Sequence, residues 1–372
     1  MTEADQLNWT EETRAAYEES AGHVQFTREG AAGVITLTRP KALNALSLFM
    51  AMRISDALAD WADDDDVKIV VIRAEPGARA FCAGGDIRAL MSPYGQDPYW
   101  ARMFFQREYA MNIRIRRFPK PYIALLDGVV MGGGCGLSVH GSHRLVGEKV
   151  MMAMPETAIG LFADVGASAF LPQKGLALGM YLAFTGARLD QADVLYAGFG
   201  THAVSAEAFD DILSALAAAE YEGDAHAVVD AVLAPFIVET QASGLAERRA
   251  LIDRTFDRGA PEAILEALES EDDPWAQDTA AHLRKMSPSS VKVTFRALRE
   301  AAGESFEDIM RVDYRIATRR LEHPDFPEGV RAVIIDKTNA PVWSPARLED
   351  VSDEAVDLHF APLDEELRLP VL

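Results

Sequence analysis

The chain repeats one short pattern twice: a buried strand, then a glycine-rich loop, then a helix. The first copy is VKIVVIRA (67–74) followed by FCAGGDIRAL (81–90), and the second is YIALLDGVV (122–130) followed by MGGGCGLSVHG (131–141). Strands that are apolar without interruption are typical of a parallel sheet covered on both faces. The pattern therefore predicts an α/β fold of stacked βα units, with a ligand site where the strands end.

Other segments extend this reading along the chain. HVQFTRE and GVITLTRP predict two strands around a Gly30–Gly33 turn, and apolar spacing predicts helices over Ser47–Trp61 and about 98–117. Ser47 and Ser305 are placed as helix N-caps. Beyond about residue 174 the pattern is mostly helical, with a strand-like excursion predicted within EGVRAVIIDKTNAPVWSP (328–345). We divide the chain into an acidic arm (1–22), a core (23–235) and a mainly helical C-terminal region that packs on the core (236–372).

Charge and cysteine content exclude several classes of function. The formal net charge of −22 argues against a nucleic-acid surface. The acidic runs lack the His, Cys or glycine spacing of a metal site, so they are read as solvated faces and no metal is expected. With two cysteines, no apolar run long enough for a bilayer and no signal-like N-terminus, we expect a cytoplasmic protein without membrane contact.

The two glycine loops offer backbone donors to a ligand. Glycine lets the backbone approach a ligand closely, and the first N–H groups of a helix are unpaired. The N–H groups of Gly85 and Gly133 are candidates for a two-donor oxyanion hole. The alternative is that these glycines serve only tight turns or helix packing. Neither loop has the spacing of a dinucleotide or phosphate loop.

Two carboxylates, Glu156 and Asp164, lie in the otherwise almost wholly apolar stretch MPETAIGLFADVG (154–166). Ionised acids are costly to bury unless they are paired or used. Asp164 also stands where a helix N-cap is expected, and Glu156 can equally be a solvated residue after a proline. If the two carboxylates lie close together, their pKa values are pushed apart, which suits one acid and one base.

Other candidates are weaker. Ser138 and His140 lack the elbow motif of a serine hydrolase, and Cys82 is read as a small buried hydrophobe. Asp86 is expected to fix its loop by hydrogen bonds to nearby backbone, while remaining a substrate-binding candidate. Four basic residues flank the loops: Arg39, Lys41, Arg79 and Arg88. Each is expected either to bind the phosphate groups of a ligand or to lie on the solvated surface.

In order and spacing, FCAGGDIRAL, MGGGCGLSVHG and MPETAIGLFADVGASAFLP resemble the crotonase (enoyl-CoA hydratase/isomerase) superfamily. Within it they resemble the 3-hydroxyisobutyryl-CoA hydrolase branch, as do SSVKVTFRALRE and EGVRAVIIDKTNAPVWSPARLEDV near the C-terminus. The resemblance runs from about residue 25 to 360. It implies a crotonase-like spiral of ββα units with a helical C-terminal region, a coenzyme A thioester as substrate, and oxyanion-hole roles for Gly85 and Gly133.

The resemblance also distinguishes between reactions. Hydratases of the superfamily use two glutamates, and here the first of those positions is Gly136, which disfavours hydration. The second position is filled by Glu156, which can attack the thioester or act as general base for water. Asp164 matches an acid of the hydrolase branch and is expected to bind a 3-hydroxyl group or assist proton transfer. Glu108 matches an acid near the substrate, whereas Ala163 replaces a proline usual in the branch.

These observations predict hydrolysis of a short 3-hydroxyacyl-CoA thioester, with 3-hydroxyisobutyryl-CoA of valine breakdown as the leading substrate. No cofactor is expected beyond the coenzyme A of the substrate, and a homo-oligomer remains open. One rival is an enoyl-CoA isomerase or hydratase, since a single glutamate can shuttle a proton across a double bond. The other is a non-catalytic protein that binds acyl-CoA.

Overall fold

The structure is a computed structural model that describes residues 10–91 and 97–371. Residues 1–9 of the predicted acidic arm lie outside the described residues. The strands in these ranges are β1 (Val24–Glu29), β2 (Ala32–Leu37), β3 (Ile69–Ala74), β4 (Ala80–Cys82), β5 (Tyr122–Leu126), β6 (Val129–Met131), β7 (His143–Val146), β8 (Met151–Ala153) and β9 (His202–Ala203).

The strands form two sheets. The larger has the order β1-β2-β3-β5-β7-β9, and only its β1–β2 pair is antiparallel within the described chain. The smaller sheet is β4-β6-β8 and is parallel. From β3 onward, successive strands alternate between the two sheets. The chain therefore winds as a spiral of ββα units, which confirms the predicted fold class.

Helices surround and extend this spiral. The α-helices are α1 (Glu11–Glu19), α2 (Leu48–Asp63), α3 (Ile87–Leu90), α4 (Pro98–Arg116), α5 (Gly133–Gly136), α6 (Ala167–Phe170), α7 (Leu176–Thr185), α8 (Gln191–Tyr196), α9 (Phe209–Ala218), α10 (Ala225–Leu233), α11 (Gly244–Phe256), α12 (Pro261–Glu269), α13 (Pro274–Leu283), α14 (Pro288–Glu300), α15 (Phe306–Arg320), α16 (Asp325–Val330) and α17 (Asp353–Phe360). Short 3₁₀ turns are Ser20–Gly22, Pro40–Ala42, Glu156–Ile159, Leu171–Lys174, Ala206–Ala208, Ala234–Phe236 and Leu348–Asp350, and Arg331–Ile335 is a π-helical turn. None of the helices within 10–91 and 97–371 combines the length and the apolar character needed to span a bilayer.

Local sequence explains where the principal elements begin. The Ser47 side chain accepts the Met50 N–H at the start of α2, and Ser305 accepts the Asp308 N–H at the start of α15, so both predicted caps form. All five residues of β5 and the first five of β3 are buried. This burial on both faces matches their uninterrupted apolar sequence.

The strand-like excursion predicted for 328–345 is wrong, because α16 and the π-helical turn occupy its first part. Phe326 and Val330 are buried four positions apart, which is helical spacing. A Cβ on Gly329 would lie 2.3 Å from the carbonyl carbon of Ile159. Glycine therefore lets α16 pack directly on the backbone that follows Glu156.

Candidate active site

One cavity of about 960 Å³ lies where the three strands of the smaller sheet end. The loops after β4, β6 and β8 all contribute to its wall. Its lining includes every residue that the sequence nominated for the site: Gly85, Asp86, Glu108, Gly133, Glu156 and Asp164. The volume is within the usual range for a small-molecule site.

Two backbone N–H groups meet at one point of this cavity. Among the described residues, neither Gly85 nor Gly133 donates its N–H to a backbone or side-chain acceptor. A Cβ on Gly133 would lie only 3.2 Å from the Gly85 nitrogen, and a Cβ on Gly84 would lie 3.8 Å from the Gly133 nitrogen. Both unpaired donors therefore border the same small space, where a single oxygen atom can be held.

The second glycine loop makes room for two carboxylates. A Cβ on Gly132 would come within 2.8 Å of Glu156 Oε1, and a Cβ on Gly133 within 2.4 Å of Glu108 Oε1. Gly132 also has φ +49°, a conformation that side chains rarely adopt. Glycine at both positions leaves free the space that these two carboxylates occupy beside the backbone.

Three acids in this cavity are buried: Glu108, Glu156 and Asp164 are 2%, 5% and 4% exposed. Asp164 accepts a hydrogen bond of 2.7 Å from the Tyr109 hydroxyl. Glu108 Oε1 and Glu156 Oε2 have no hydrogen-bond partner among the described residues. These oxygens are therefore available to a substrate or a water molecule.

Burial and mutual repulsion raise the pKa values of these acids. Burial raises the pKa of Glu156 well above its usual range, and the charge of Asp164 raises it further. The pKa of Glu108 is raised by burial and by the charges of both other acids. Burial raises the pKa of Asp164 to about 6, although the hydrogen bond from Tyr109 opposes that rise. Asp164 is thus the acid that ionises most readily, while its two neighbours retain protons to higher pH.

The C-terminal region holds the turn that carries Glu156. This turn ends at Gly160, whose carbonyl accepts hydrogen bonds from Nε of Arg320, at 2.8 Å, and from Nη2 of the same residue. Arg320 is fully buried and also donates to Ser289 and Ser290. A Cβ on Gly160 would lie 2.2 Å from the Asp325 carbonyl oxygen. Arg320 and α16 therefore fix the position of the turn that carries Glu156.

Asp164 does not serve as the helix N-cap that its spacing suggested. Helix α6 begins after Gly166. The backbone carbonyl of Asp164 accepts a hydrogen bond from the Ala167 N–H, but no side chain caps this helix. Its carboxylate faces Tyr109 instead because the next two residues, Val165 (φ 52°) and Gly166 (φ 77°), are left-handed. Left-handed backbone at this point interrupts the approach to the helix, so the side chain is not aligned with its first N–H groups.

Two hydrogen bonds hold this left-handed turn. The His140 ring donates to the Val165 carbonyl at 2.8 Å, and the Gly166 N–H donates to Asp313 at 2.8 Å. Ala163, which replaces the proline usual in the hydrolase branch, is buried just before the turn. The turn is thus fixed by neighbouring elements rather than by a proline ring.

No side chain larger than glycine fits at position 136. A Cβ on Gly136 would lie 2.8 Å from Asn112 Nδ2 and 3.0 Å from Val165 Cβ. Asn112 and Val165 are both fully buried, so neither can move aside into solvent. The space that a second glutamate needs is therefore already occupied.

Asp86 and the basic candidates lie at the cavity but are used differently. The Asp86 carboxylate accepts the Ala89 N–H at 3.1 Å and forms an ion pair of 2.6 Å with Arg39, so it fixes its loop. Arg88 donates to the Ile334 carbonyl at 2.9 Å. The cavity wall also includes three exposed basic residues: Lys41, Arg79 and Lys337.

The alternative nucleophiles lie outside the lining of this cavity. The Ser138 hydroxyl donates a hydrogen bond to the Gly134 carbonyl, and the His140 ring donates one to the Val165 carbonyl. Cys82 is fully buried, and burial raises the pKa of its thiol to about 12. None of the three is therefore in a state suited to nucleophilic attack.

Sequence reasoning missed three contributors to the site. Tyr109 directly follows Glu108 on α4 and donates a hydrogen bond to Asp164. Its position next to a predicted site residue was the one sequence feature that could have identified it. Lys337 and Arg320 lie more than 150 residues along the chain from Glu156. No local pattern links them to it.

Comparison with known proteins gives one consistent picture. The model of the family described as enoyl-CoA hydratase/isomerase matches residues 32–360. A Danio rerio protein named "3-hydroxyisobutyryl-CoA hydrolase, mitochondrial" is 42% identical over 359 residues, covering 93% of this chain and 91% of the relative. The Homo sapiens protein of that name is 39% identical over 348 residues, covering 93% and 90%.

Solved structures match over a similar span. A carnitinyl-CoA dehydratase from Mycobacterium thermoresistibile superposes with a TM-score of 0.86 at 38% identity, covering 93% of this chain and 98% of the other. An enoyl-CoA hydratase from Rhodobacter sphaeroides gives a TM-score of 0.83 at 37% identity, covering 93% and 100%. These superpositions confirm the predicted crotonase-type fold.

The comparisons also correct one expectation. The two cysteines and the acidic N-terminus led us to expect a cytoplasmic protein. The relatives from Danio rerio, Gallus gallus and Homo sapiens are all named as mitochondrial proteins. The cytoplasmic prediction is therefore wrong, because low cysteine content is equally compatible with other compartments that keep thiols reduced.

Proposed function

The chain belongs to the enoyl-CoA hydratase/isomerase family, and from that premise we propose that it hydrolyses 3-hydroxyisobutyryl-CoA to 3-hydroxyisobutyrate and coenzyme A. The relatives named for this reaction support the substrate. The observation that carries the proposal is the placement of Glu156, buried and with a free oxygen, in the cavity that also holds two unpaired N–H groups.

In this proposal the N–H groups of Gly85 and Gly133 hold the thioester carbonyl oxygen. Negative charge gathers on that oxygen when the carbonyl carbon is attacked, and two fixed donors stabilise it without reorganisation. A donor of this kind typically contributes about 3–4 kcal/mol to the transition state. The short separation of the two loops supports the assignment.

Glu156 activates the attack by one of two routes. As nucleophile it forms a bond to the carbonyl carbon and the carbon–sulfur bond breaks, releasing the thiolate and leaving a mixed anhydride that water cleaves. As general base it takes a proton from a water molecule that attacks the same carbon directly; the carbon–sulfur bond then breaks, and the leaving thiolate takes up a proton to give free coenzyme A. Both routes require the ionised carboxylate, so activity rises as the Glu156 proton is lost.

Asp164 and Glu108 are assigned to the acyl group. Asp164, ionised first, accepts a hydrogen bond from the substrate 3-hydroxyl while Tyr109 holds the carboxylate in place. Glu108 retains its proton to higher pH and can donate to an oxygen of the substrate. A pair of polar groups around one hydroxyl favours 3-hydroxyacyl thioesters over simple acyl thioesters.

The exposed basic residues of the cavity wall suit the other end of the substrate. Lys41, Arg79, Arg88 and Lys337 supply positive charge to a protein that is acidic overall. We assign them to the phosphates of coenzyme A. With this substrate, the reaction belongs to valine breakdown, where a thioester intermediate is released as the free hydroxy acid.

A hydratase or dehydratase is the second candidate, because the two superposed structures are those of proteins named as a dehydratase and a hydratase. Paired-glutamate hydration needs a second carboxylate at position 136. Gly136 has none, and Asn112 and Val165 fill the space. The proposal therefore favours hydrolysis.

A thiol-release assay separates the candidates. The purified protein is incubated with 3-hydroxyisobutyryl-CoA, 3-hydroxybutyryl-CoA, isobutyryl-CoA and a 2-enoyl-CoA, and both free thiol and enoyl absorbance are followed. We expect free thiol mainly from 3-hydroxyisobutyryl-CoA and a constant enoyl absorbance. Loss of enoyl absorbance without thiol release would identify a hydratase, and binding without either signal a non-catalytic protein.

A further inference from the structure

A second cavity, of about 220 Å³, lies among the carboxyl end of α14, the first turns of α15 and helix α6. None of its lining residues belongs to the cavity that contains Glu156. The proposed hydrolysis does not use this second cavity. Two of its buried side-chain oxygens nevertheless have no hydrogen-bond partner among the described residues, which points to a ligand.

Two buried oxygens belong to side chains that line this cavity. Asp313 and Ser168 are 1% and 4% exposed. Asp313 accepts the Gly166 N–H with Oδ2, but its Oδ1 has no partner among the described residues. The Ser168 hydroxyl also has no partner there. Buried polar atoms are normally hydrogen-bonded, so these two oxygens can accept hydrogen bonds from a ligand in the cavity.

The remaining polar lining is acidic. Glu300, Glu304 and Asp308 contribute carboxylates nearer the surface. Arg296 pairs with Glu300, and Arg311 pairs with Asp308. Glu304 and Asp313, by contrast, have no ion pair within 10–91 and 97–371. The carboxyl end of α14 adds partial negative charge. The cavity therefore attracts a cation and repels an anion.

The rest of the wall is apolar, which favours an organic cation with an alkyl chain. Ala297, Ala301, Ile309 and Val312 line the cavity. The acidic side chains here do not form a group that can hold a metal ion, as far as the chain is described. We propose that this cavity binds a primary alkylammonium ligand, with its ammonium group on Asp313 and Ser168 and its alkyl chain against the apolar wall.

The donor count and the charge of Asp313 agree with such a ligand. An ammonium group offers three N–H donors, enough for Asp313 Oδ1, the Ser168 hydroxyl and a third acceptor. Burial, together with the charge of Asp164, raises the pKa of Asp313 well above its usual range, because no cationic side chain of the described residues pairs with this carboxylate to supply a counter-charge. A bound cation supplies it.

The test uses n-butylammonium chloride and the full-length protein, with binding measured by saturation-transfer difference NMR. The neutral 1-butanol and the anion butyrate have the same chain length and serve as matched probes. Asp313→Asn keeps an acceptor for the Gly166 N–H, and Ser168→Ala removes a hydroxyl without a partner, so both variants are expected to fold. Glu266→Gln, at an exposed position on α12, is the control variant.

We expect n-butylammonium to bind more tightly than 1-butanol and butyrate. The Kd should rise about tenfold or more in Asp313→Asn, less in Ser168→Ala, and not at all in Glu266→Gln, since hydrogen bonds to charged groups are the stronger ones. Equal binding of 1-butanol, or a Kd unchanged in Asp313→Asn, would overturn the proposal. The readout is binding alone, so the result is independent of the proposed hydrolysis.

Discussion

Replacing Gly133 by alanine tests the paired N–H groups directly. The added Cβ would lie 3.2 Å from the Gly85 nitrogen and 2.4 Å from Glu108 Oε1. An oxygen held by the Gly85 N–H lies about 2.7–3.1 Å from that nitrogen. The methyl group and the substrate oxygen therefore compete for the same space. To accept the methyl group, the end of the Glu108 side chain must move and the Gly85 backbone must shift by a few tenths of an ångström.

The expected effects on catalysis and stability differ widely in size. Loss of one such donor lowers kcat by about 10²–10³-fold, so obstruction of the shared space should lower kcat/KM by about 10³-fold, or about 4 kcal/mol. Overpacking costs about 1–3 kcal/mol. With 372 residues the unfolding entropy is about 0.8 kcal/mol/K, so Tm should fall by only about 1–4 °C.

The assay is steady-state thiol release from 3-hydroxyisobutyryl-CoA, with Tm measured in parallel. Gly259→Ala is the matched control, because a Cβ there meets no atom within 4 Å and the backbone is not left-handed. The control should keep the wild-type kcat/KM. If Gly133→Ala stays folded and retains kcat/KM within about threefold of the wild type, the two N–H groups do not hold the reacting oxygen.

Three further predictions concern the groups around the cavity. Asp164→Asn removes a negative charge that raises the pKa of Glu156, so the acid limb of the kcat–pH profile should move to lower pH; an unmoved limb would refute the coupling. For Asp313 the folded-state pKa lies above the usual 3.8, so its stabilising contribution is complete below that pH and is lost as pH rises through the raised value. The Tm of Asp313→Asn relative to that of the wild type should therefore increase as the pH rises above the usual 3.8, and a Tm difference that stays constant with pH would contradict this. A lysine at position 320 cannot donate the two hydrogen bonds that Arg320 donates to the Gly160 carbonyl. We therefore expect Arg320→Lys to lower kcat about 10²-fold with little change in KM, whereas a lower Tm with unchanged kcat would mean a purely structural role.

The site was predictable where its residues follow strand ends. Gly85 follows β4, Gly133 follows β6 and Glu156 follows β8, and parallel strands of one sheet end at the same edge. The repeated order of strand, glycine loop and helix predicted that the two glycine loops converge. The short strands β4 and β8 were not predicted, and Glu156 was placed beside the loops only by the family resemblance. Their chemical roles remain proposals that the variants above test.

Other features depend on long-range packing that no local pattern encodes. Asp313 lies 147 residues from the Gly166 N–H that it accepts, and Arg320 lies 160 residues from the Gly160 carbonyl. The N-cap predicted at Asp164 does not form, because Val165 has left-handed backbone. A β-branched residue rarely adopts this conformation, so the sequence gives no reason to expect it. The strand predicted in 328–345 failed because a short apolar run suits a strand and a buried helix equally.

The central claim is that Glu156 performs the hydrolysis, and Glu156→Gln tests it most directly because the amide keeps the shape of the side chain and cannot ionise. Thiol release from 3-hydroxyisobutyryl-CoA is measured for the wild type, this variant and the control Glu266→Gln, together with their Tm values. We predict that the wild type and control release coenzyme A at the same rate, and that Glu156→Gln is slower by about 10²–10⁴-fold while still folded. Release by a folded Glu156→Gln variant at the wild-type rate would contradict the account.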